Sequence, residues 1–330
     1  MNFLEFEVWR KAHLAAQPHL MDGGCTTFYK HLAEMDPVRF GPIASSTNPK
    51  AIYRCHVAEE FLRHMHLDES TYKPRTLITH GVRASLQAIF QHWAKEDRLV
   101  FLPKDVYPVY LELAQQAQLR VHLYAQSKDL PWGMLEKSFQ PWGLLVCNPL
   151  KPWGGRIDSQ QLERLMCLAE NKGQVILDGA YQLQPDPWVE QALNQEKPLA
   201  FLGSLSKGWL SPWKAGIVIG PRTWIDDWRS AFQQLPKNTE SFAQAFAALT
   251  EHAHRPQDVL NFVDQKRTMV VDYFKEKGIP VIGSEGYFLT TSESIENLLE
   301  KNILAIPPSV FGSGNPNIKA VVSVLALEIP

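Results

Sequence analysis

Cysteine is scarce in this 330-residue chain and follows no motif. The four thiols, Cys25, Cys55, Cys147 and Cys167, include no CxxC pair. That argues against a zinc ribbon or a redox dithiol, and their spacing suggests no disulfide framework. Four free thiols in a reducing compartment is the reading that remains. An excess of one charge is also missing, since 33 Lys and Arg stand against 35 Asp and Glu, a formal net charge of −2. Without a basic tail or an arginine block, nucleic acid and anionic membrane are poor choices for a main partner. No apolar run is long enough to span a bilayer. The opening MNFLEFEVWRKAHLAA places charges among its apolar residues and has no signal-peptide core. The expectation is a soluble, cytoplasmic protein without internal repeats or low-complexity segments.

What is present is ordinary globular material, 45% hydrophobic and 21% charged, long enough for one large domain or two modest ones. The first forty-odd residues read as a helix followed by an irregular stretch from Asp36 to Asn48. Val57, Phe61, Leu62 and Met65 then share one face of a helix. From about Arg75 the short apolar runs TLIT, RLVFLP, LRVHLY, GLLVCN, QVILD and LAFLGS are separated by longer segments. Leu86, Ile89, Phe90 and Trp93 give a helical stripe between the first two runs. Asp158 and Gln161 have the spacing of a helix N-cap and its third residue. Unbroken apolar strands alternating with helices indicate an α/β fold whose sheet is mostly parallel and covered on both faces. GIVIG adds a further strand. Beyond Pro221 the alternation stops. Helical patterns at Glu240–His252 and Gln257–Lys277 precede short strands, a helix near Ile295 and KAVVSVLAL. The expected organisation is an N-terminal segment (1–45) lying beside a small α+β C-terminal domain (223–330), with a large domain at 46–222.

Open α/β sheets bind ligands beyond the carboxyl ends of their strands, so the residues after each run are the candidates. TLIT is followed by His80-Gly81-Val82-Arg83, where a glycine at a helix start lets backbone amides approach a phosphate. RLVFLP is followed by Lys104-Asp105-Val106-Tyr107. GLLVC leads into Asn148-Pro149-Leu150-Lys151-Pro152-Trp153-Gly154-Gly155, QVIL into Asp178-Gly179-Ala180-Tyr181, and LAFLG into Ser204-Leu205-Ser206-Lys207. Each alone is weak. Asp after a strand is often a helix cap, and Ser-x-Ser-Lys is common in loops.

Taken in order, these motifs resemble those of the fold-type I pyridoxal 5′-phosphate (PLP) enzymes. Within that class I/II aminotransferase family the pattern resembles the histidinol-phosphate aminotransferases and the phosphothreonine decarboxylase-like proteins. The resemblance covers about Arg75 to Gly220, with a weaker tail near PPSVFGSG. It implies the PLP-dependent transferase-like fold, a homodimer, and an amino donor and keto-acid acceptor as substrates. Lys207 matches the Schiff-base lysine, Asp178 the carboxylate facing the pyridine nitrogen, and Tyr181 the phenol donating to the ring's 3-oxygen. Tyr107 matches the aromatic that stacks on the ring. Gly81, the amides of Val82 and Arg83, Ser204 and Ser206 match the phosphate site.

Three positions depart from the family pattern. Lys151 stands where the family has Asn before Pro-Thr-Gly. Either it donates to the ring oxygen as a mobile charge, or it faces solvent and leaves that oxygen to Tyr181. Lys214 lies seven positions after Lys207, where the family has Arg at eight, and would neutralise phosphate without a bidentate fork. Lys319 occupies the place of the Arg that grips the substrate carboxylate; its alternative reading is a lysine guarding an edge strand. The expected activity is aminotransfer. The alternatives are a decarboxylase or lyase on the same fold, and a non-catalytic relative. The pairs His64/His66 and His252/His254 lack further ligands and read as surface histidines, so no metal is expected. Trp142, Trp153, Trp209 and Trp213 fit either a substrate pocket or packing.

Overall fold

A computed structural model of the chain describes residues 1–25, 32, 36–43, 48, 52–106, 108–126, 129–182, 186–211, 213–234, 239–312 and 315–329. The apolar runs become the seven strands of one sheet. They are β1 (Thr76–Thr79), β2 (Leu99–Pro103), β3 (Arg120–Tyr124), β4 (Trp142–Cys147), β5 (Gly173–Gly179), β6 (Leu199–Ser204) and β7 (Gly216–Ile219). Their spatial order is β1-β7-β6-β5-β4-β2-β3. All neighbouring pairs from β6 to β3 are parallel, and β7 runs antiparallel to both β6 and β1.

The strands read as unbroken apolar runs because successive side chains enter different cores. Val100, Leu102, Leu145, Cys147 and Ile176 face one side, while Phe101, Leu144, Val146, Val175 and Leu177 face the other. Helices Arg54–His64, Ser159–Ala169, Pro187–Asn194 and Thr239–Glu251 cover the second side. Helices Val82–Lys95, Val109–Gln116 and Arg222–Gln233 cover the first. The exception is β3, an open edge where Arg120, His122 and Leu123 are exposed and only Tyr124 is buried.

Local signals place several boundaries. Asp158 accepts from the Gln161 amide at 2.7 Å, and the Gln161 side chain accepts from the Asp158 amide, closing a capping box. Leu86, Ile89, Phe90 and Trp93 are all buried. The helix Arg222–Gln233, absent from the sequence reading, buries Ile225, Trp228 and Phe232.

A second layer holds an antiparallel sheet of β8 (Val281–Glu285), β9 (Phe288–Thr291) and β10 (Ala320–Ser323), with β9 in the middle. Its core combines Leu289 and Val321 with Val259, Val263 and Phe274 of the helix Arg255–Glu276, and with Phe6 of the helix Phe3–Ala16. Met21–Asp22 pairs in parallel with Ile303–Leu304. The residues of Arg222–Gln233 and Thr239–Glu251 pack into the two cores of the large sheet, whereas the small-sheet core draws on Arg255–Glu276.

Packing at the sheet centre is tight enough to test. Trp93 is fully buried and donates through Nε1 to Gln174 Oε1. A Cβ on Gly143 would lie 2.8 Å from its ring. Gly143→Ala is therefore expected to destabilise the chain by about 1–3 kcal/mol through overpacking. Thermal unfolding beside the unsubstituted chain measures this, and an unchanged midpoint contradicts it.

Candidate active site

The carboxyl ends of β1, β4, β5 and β6 lie on one edge of the sheet, and the turns that follow them carry the chemistry. At the end of β1, Gly81 adopts φ +85°, a left-handed conformation that suits glycine, and serves as N-cap of Val82–Lys95. Gly216 on neighbouring β7 has no room for a Cβ, which would sit 2.7 Å from the Gly81 carbonyl carbon. The Gly81 carbonyl accepts from the Ala84 and Ser85 amides. Those of Val82 and Arg83, in the first turn, precede any intrahelical acceptor. Lys214 is exposed nearby, its Cβ 3.8 Å from where a Gly81 Cβ would stand. The Arg83 side chain turns away to pair with Glu112 at 2.8 Å.

After β6, Ser204 caps a short helical turn, Leu205–Gly208, that presents Lys207. Ser204 Oγ and Ser206 Oγ are 3.3 Å apart. Trp209 Nε1 anchors the chain after Lys207 by donating to the carbonyls of Ala248 and His252. Tyr287, buried in the turn before β9, donates its hydroxyl to the Lys207 carbonyl at 3.2 Å. A residue of the small sheet therefore holds the backbone of the lysine.

Asp178, the penultimate residue of β5, is buried. Its Oδ2 accepts from Tyr110 at 2.6 Å and its Oδ1 from the Ala180 amide at 2.9 Å. Burial pushes the Asp178 carboxyl above its ordinary range, while the Tyr110 hydroxyl, the Ala180 amide and Lys151 pull the other way. Tyr110 and Cys147, which are 3.3 Å apart, are both raised by burial and then by Asp178. Sequence reasoning missed Tyr110, which sits among the buried apolar residues of Val109–Gln116.

The loop after β4 brings in Lys151. Gly154 and Gly155 take φ of +80° and +97°, and the Gly155 amide and Arg156 Nε both donate to Glu285 at 2.6 Å. Trp153 is buried in the small-sheet core and donates to the Asp105 carbonyl. So pinned, the loop directs Lys151 Nζ over the ring of Tyr181, to 5.2 Å from the Tyr287 ring centroid. Lys207 Nζ is 5.1 Å from the Tyr181 ring centroid. Of the two readings of Lys151, the solvent-facing one does not hold, since its Nζ is sealed from solvent. Asn148 Oδ1 accepts from the Ile157 amide, while Asn148 Nδ2 and Lys151 Nζ have no hydrogen-bond partner among the described residues.

Lys151, Asp178, Tyr181 and Lys207 thus come together, with Gly81, Val82, Ser204, Ser206 and Lys214 at the neighbouring strand ends. Tyr107 lies outside the described residues. Lys319 is exposed just before β10, and its charge acts on Glu293. No hydrogen bond or ion pair among the described residues joins it to the cluster. The strand it precedes is hydrogen-bonded on its outer side to Ile306 and Gly23.

Residues 45–323 match the model of the family described as aminotransferase class I and II. The histidinol-phosphate aminotransferase of Buchnera aphidicola subsp. Schlechtendalia chinensis is 27% identical over 154 residues, covering 44% of this chain and 43% of that protein. The enzyme of that name from Thermoanaerobacter sp. (strain X514) is 23% identical over 209 residues, covering 60% and 58%. The chain spans about half the length of the curated relatives it matches. A single mutant of Thermus thermophilus aspartate aminotransferase superposes with a TM-score of 0.73 at 17% identity, covering 98% of this chain and 91% of the other. At that identity the likeness establishes the fold.

Proposed function

We propose, from the premise that this chain belongs to the aminotransferase class I and II family, that it is a PLP-dependent aminotransferase. It would move an amino group from an amino acid or related amine to a keto acid. The observation that carries this reading is the convergence of Lys207, Asp178 and Lys151 beside a glycine-capped helix start. A packed core has no use for two amines and a carboxylate together.

The residues fit the cofactor. Two buried donors, Lys151 Nζ and Asn148 Nδ2, want acceptors, and the Val82 and Arg83 amides head a helix whose dipole favours phosphate. Ser204, Ser206 and Lys214 complete the phosphate site. Asp178, when ionised, would hold a proton on the ring nitrogen. Lys207 Nζ would provide the covalent attachment and move a proton at the donor's α-carbon. The bound cofactor supplies a ring that accepts the electron pair released at that carbon. The working form is placed in the cytoplasm as a homodimer, following the habit of the family. No helix among the described residues is long and apolar enough to cross a membrane.

Adding PLP to the purified chain is expected to give a visible absorption band, and borohydride is expected to trap the cofactor on Lys207. Absence of a band, or a trapped adduct elsewhere, overturns the assignment. A screen of amino donors then separates reaction types. Keto acid without CO2 supports transfer, whereas CO2 release supports decarboxylation.

A further inference from the structure

The amine of Lys151 is the feature that the reading above leaves without a task. Its stem is partly exposed, yet its Nζ is sealed and meets no acceptor among the described residues. It rests over the Tyr181 ring with Tyr287 beyond.

The titratable groups around it come from every element packed against the site. They are Cys147 at the end of β4, Asp178 and Tyr181 at the end of β5, Lys207 after β6, and Glu285 and Tyr287 around the β8–β9 turn. None offers it an anion at hydrogen-bond distance. Glu285 is engaged by Gly155 and Arg156, and Asp178 by Tyr110 and Ala180. Burial pushes the Cys147 thiol and the Tyr287 phenol upward, so both stay neutral. Burial first and Lys207 second hold Lys151 well below the ordinary lysine value, against smaller pulls from Asp178, Cys147 and Glu285. A protonated Lys151 would be a buried charge without a partner, which is costly. In the ligand-free chain burial therefore disfavours the charged form of Lys151, and its Nζ lies over the Tyr181 ring with no acceptor among the described residues.

PLP would bring two anionic groups. The phosphate has its site at Gly81, Ser204 and Lys214. The ring oxygen carries the remaining negative charge, and Lys151 is the sealed cation site without an anion.

We propose that Lys151 takes up a proton when the cofactor's ring oxygen arrives beside it, so that cofactor binding and Lys151 protonation are one linked event. The proposal rests on the cofactor reading above and adds a proton to its balance. Neutral amine plus H⁺ gives an ammonium that donates to the phenolate, with no other bond made or broken. Uptake occurs between the lowered value of the free chain and the restored value of the complex, so affinity falls as pH rises through that window.

The test uses 4′-deoxypyridoxine 5′-phosphate, which has the phenol and phosphate but no aldehyde. It cannot condense with Lys207, which removes that proton from the count. Titrating it calorimetrically into the full chain, in two buffers of different ionisation enthalpy, gives the protons taken up. The expected result is about one proton more for the unsubstituted chain than for Lys151→Met or Lys151→Arg. The arginine variant stays charged and preserves an acceptor-seeking cation if the methionine variant binds poorly. Equal uptake in all three overturns the proposal. So does an affinity of the unsubstituted chain that is flat with pH below the ordinary lysine value of about 10.4, whether or not a variant binds. If PLP still traps on Lys207 in that case, the cofactor reading stands and only the proton linkage fails. If the unsubstituted chain binds neither compound, both fall.

Discussion

Replacing Lys207 with Ala is expected to remove turnover almost completely, by about 10⁴-fold or more in kcat/KM. On the proposed reading, the substitution deletes both the covalent attachment and the group that moves the proton. Folding should be little affected. The stability of the turn comes from the Trp209 indole, the Tyr287 hydroxyl on the Lys207 carbonyl and the Ser206 carbonyl to Ser211 amide bond. None of these uses the Lys207 side chain. The decisive measurement is borohydride trapping with peptide mapping, run beside a melting curve. A variant that melts normally and yields no adduct supports the assignment. An adduct moved to Lys151, 5.2 Å from the Tyr287 ring and over Tyr181, would show that the second amine can stand in. Unreduced turnover would reject Lys207 as the reactive lysine.

The next largest effect is expected at Asp178. Asp178→Asn keeps the shape but loses the charge proposed to hold the ring nitrogen protonated, and activity should fall about 10²- to 10³-fold, the scale of one lost electrostatic partner in a dry site. Stability should move in the opposite direction. Because burial raises the carboxyl of Asp178 in the folded chain, the proton favours the native state. The contribution of Asp178 to the stability of the cofactor-free chain is therefore greatest below the unfolded value of about 4. It declines as pH rises through that value toward the higher folded one. The asparagine variant should lack this decline, so at neutral pH its melting temperature without cofactor should equal or exceed that of the parent. A site residue that weakens its own scaffold is a familiar exchange of stability for activity. Melting curves from pH 4 to 8, roughly the span between the carboxylate range and neutrality, check it. A variant less stable than the parent throughout would contradict the argument.

Much of this arrangement is legible from the chain because its signals are local. Both-face burial makes the strands of the large sheet other than β3 apolar runs, so TLIT, QVIL and GIVIG announce themselves without neighbours. The same holds for Asp158 with Gln161, whose capping box spans three residues. What escaped depends on pairs far apart in sequence. Tyr110 reads as one more apolar helix position until Asp178, 68 residues on, accepts its hydroxyl. Tyr287 belongs to a turn of the small sheet, and its bond to the Lys207 carbonyl spans 80 residues. The helix Arg222–Gln233 was missed because its apolar residues, Ile225, Trp228 and Phe232, are sparse among charges. The fate of Lys151 was undecidable in sequence because the loop is fixed by Glu285, more than a hundred residues later.

The strand order has a consequence for synthesis on the ribosome. Of the large sheet's strands β1 emerges first, yet among the described residues its only strand neighbour is β7, and five other strands are made between them. At translation speeds of roughly 5–20 residues per second, β1 waits on the order of ten seconds for its partner. During that time its N–H and C=O groups, and the apolar faces of Leu77 and Ile78, are open to chaperones or to other nascent chains. The glycine turn that follows it packs against Gly216 of β7, so the corner proposed to bind phosphate is among the last parts of the large layer to mature.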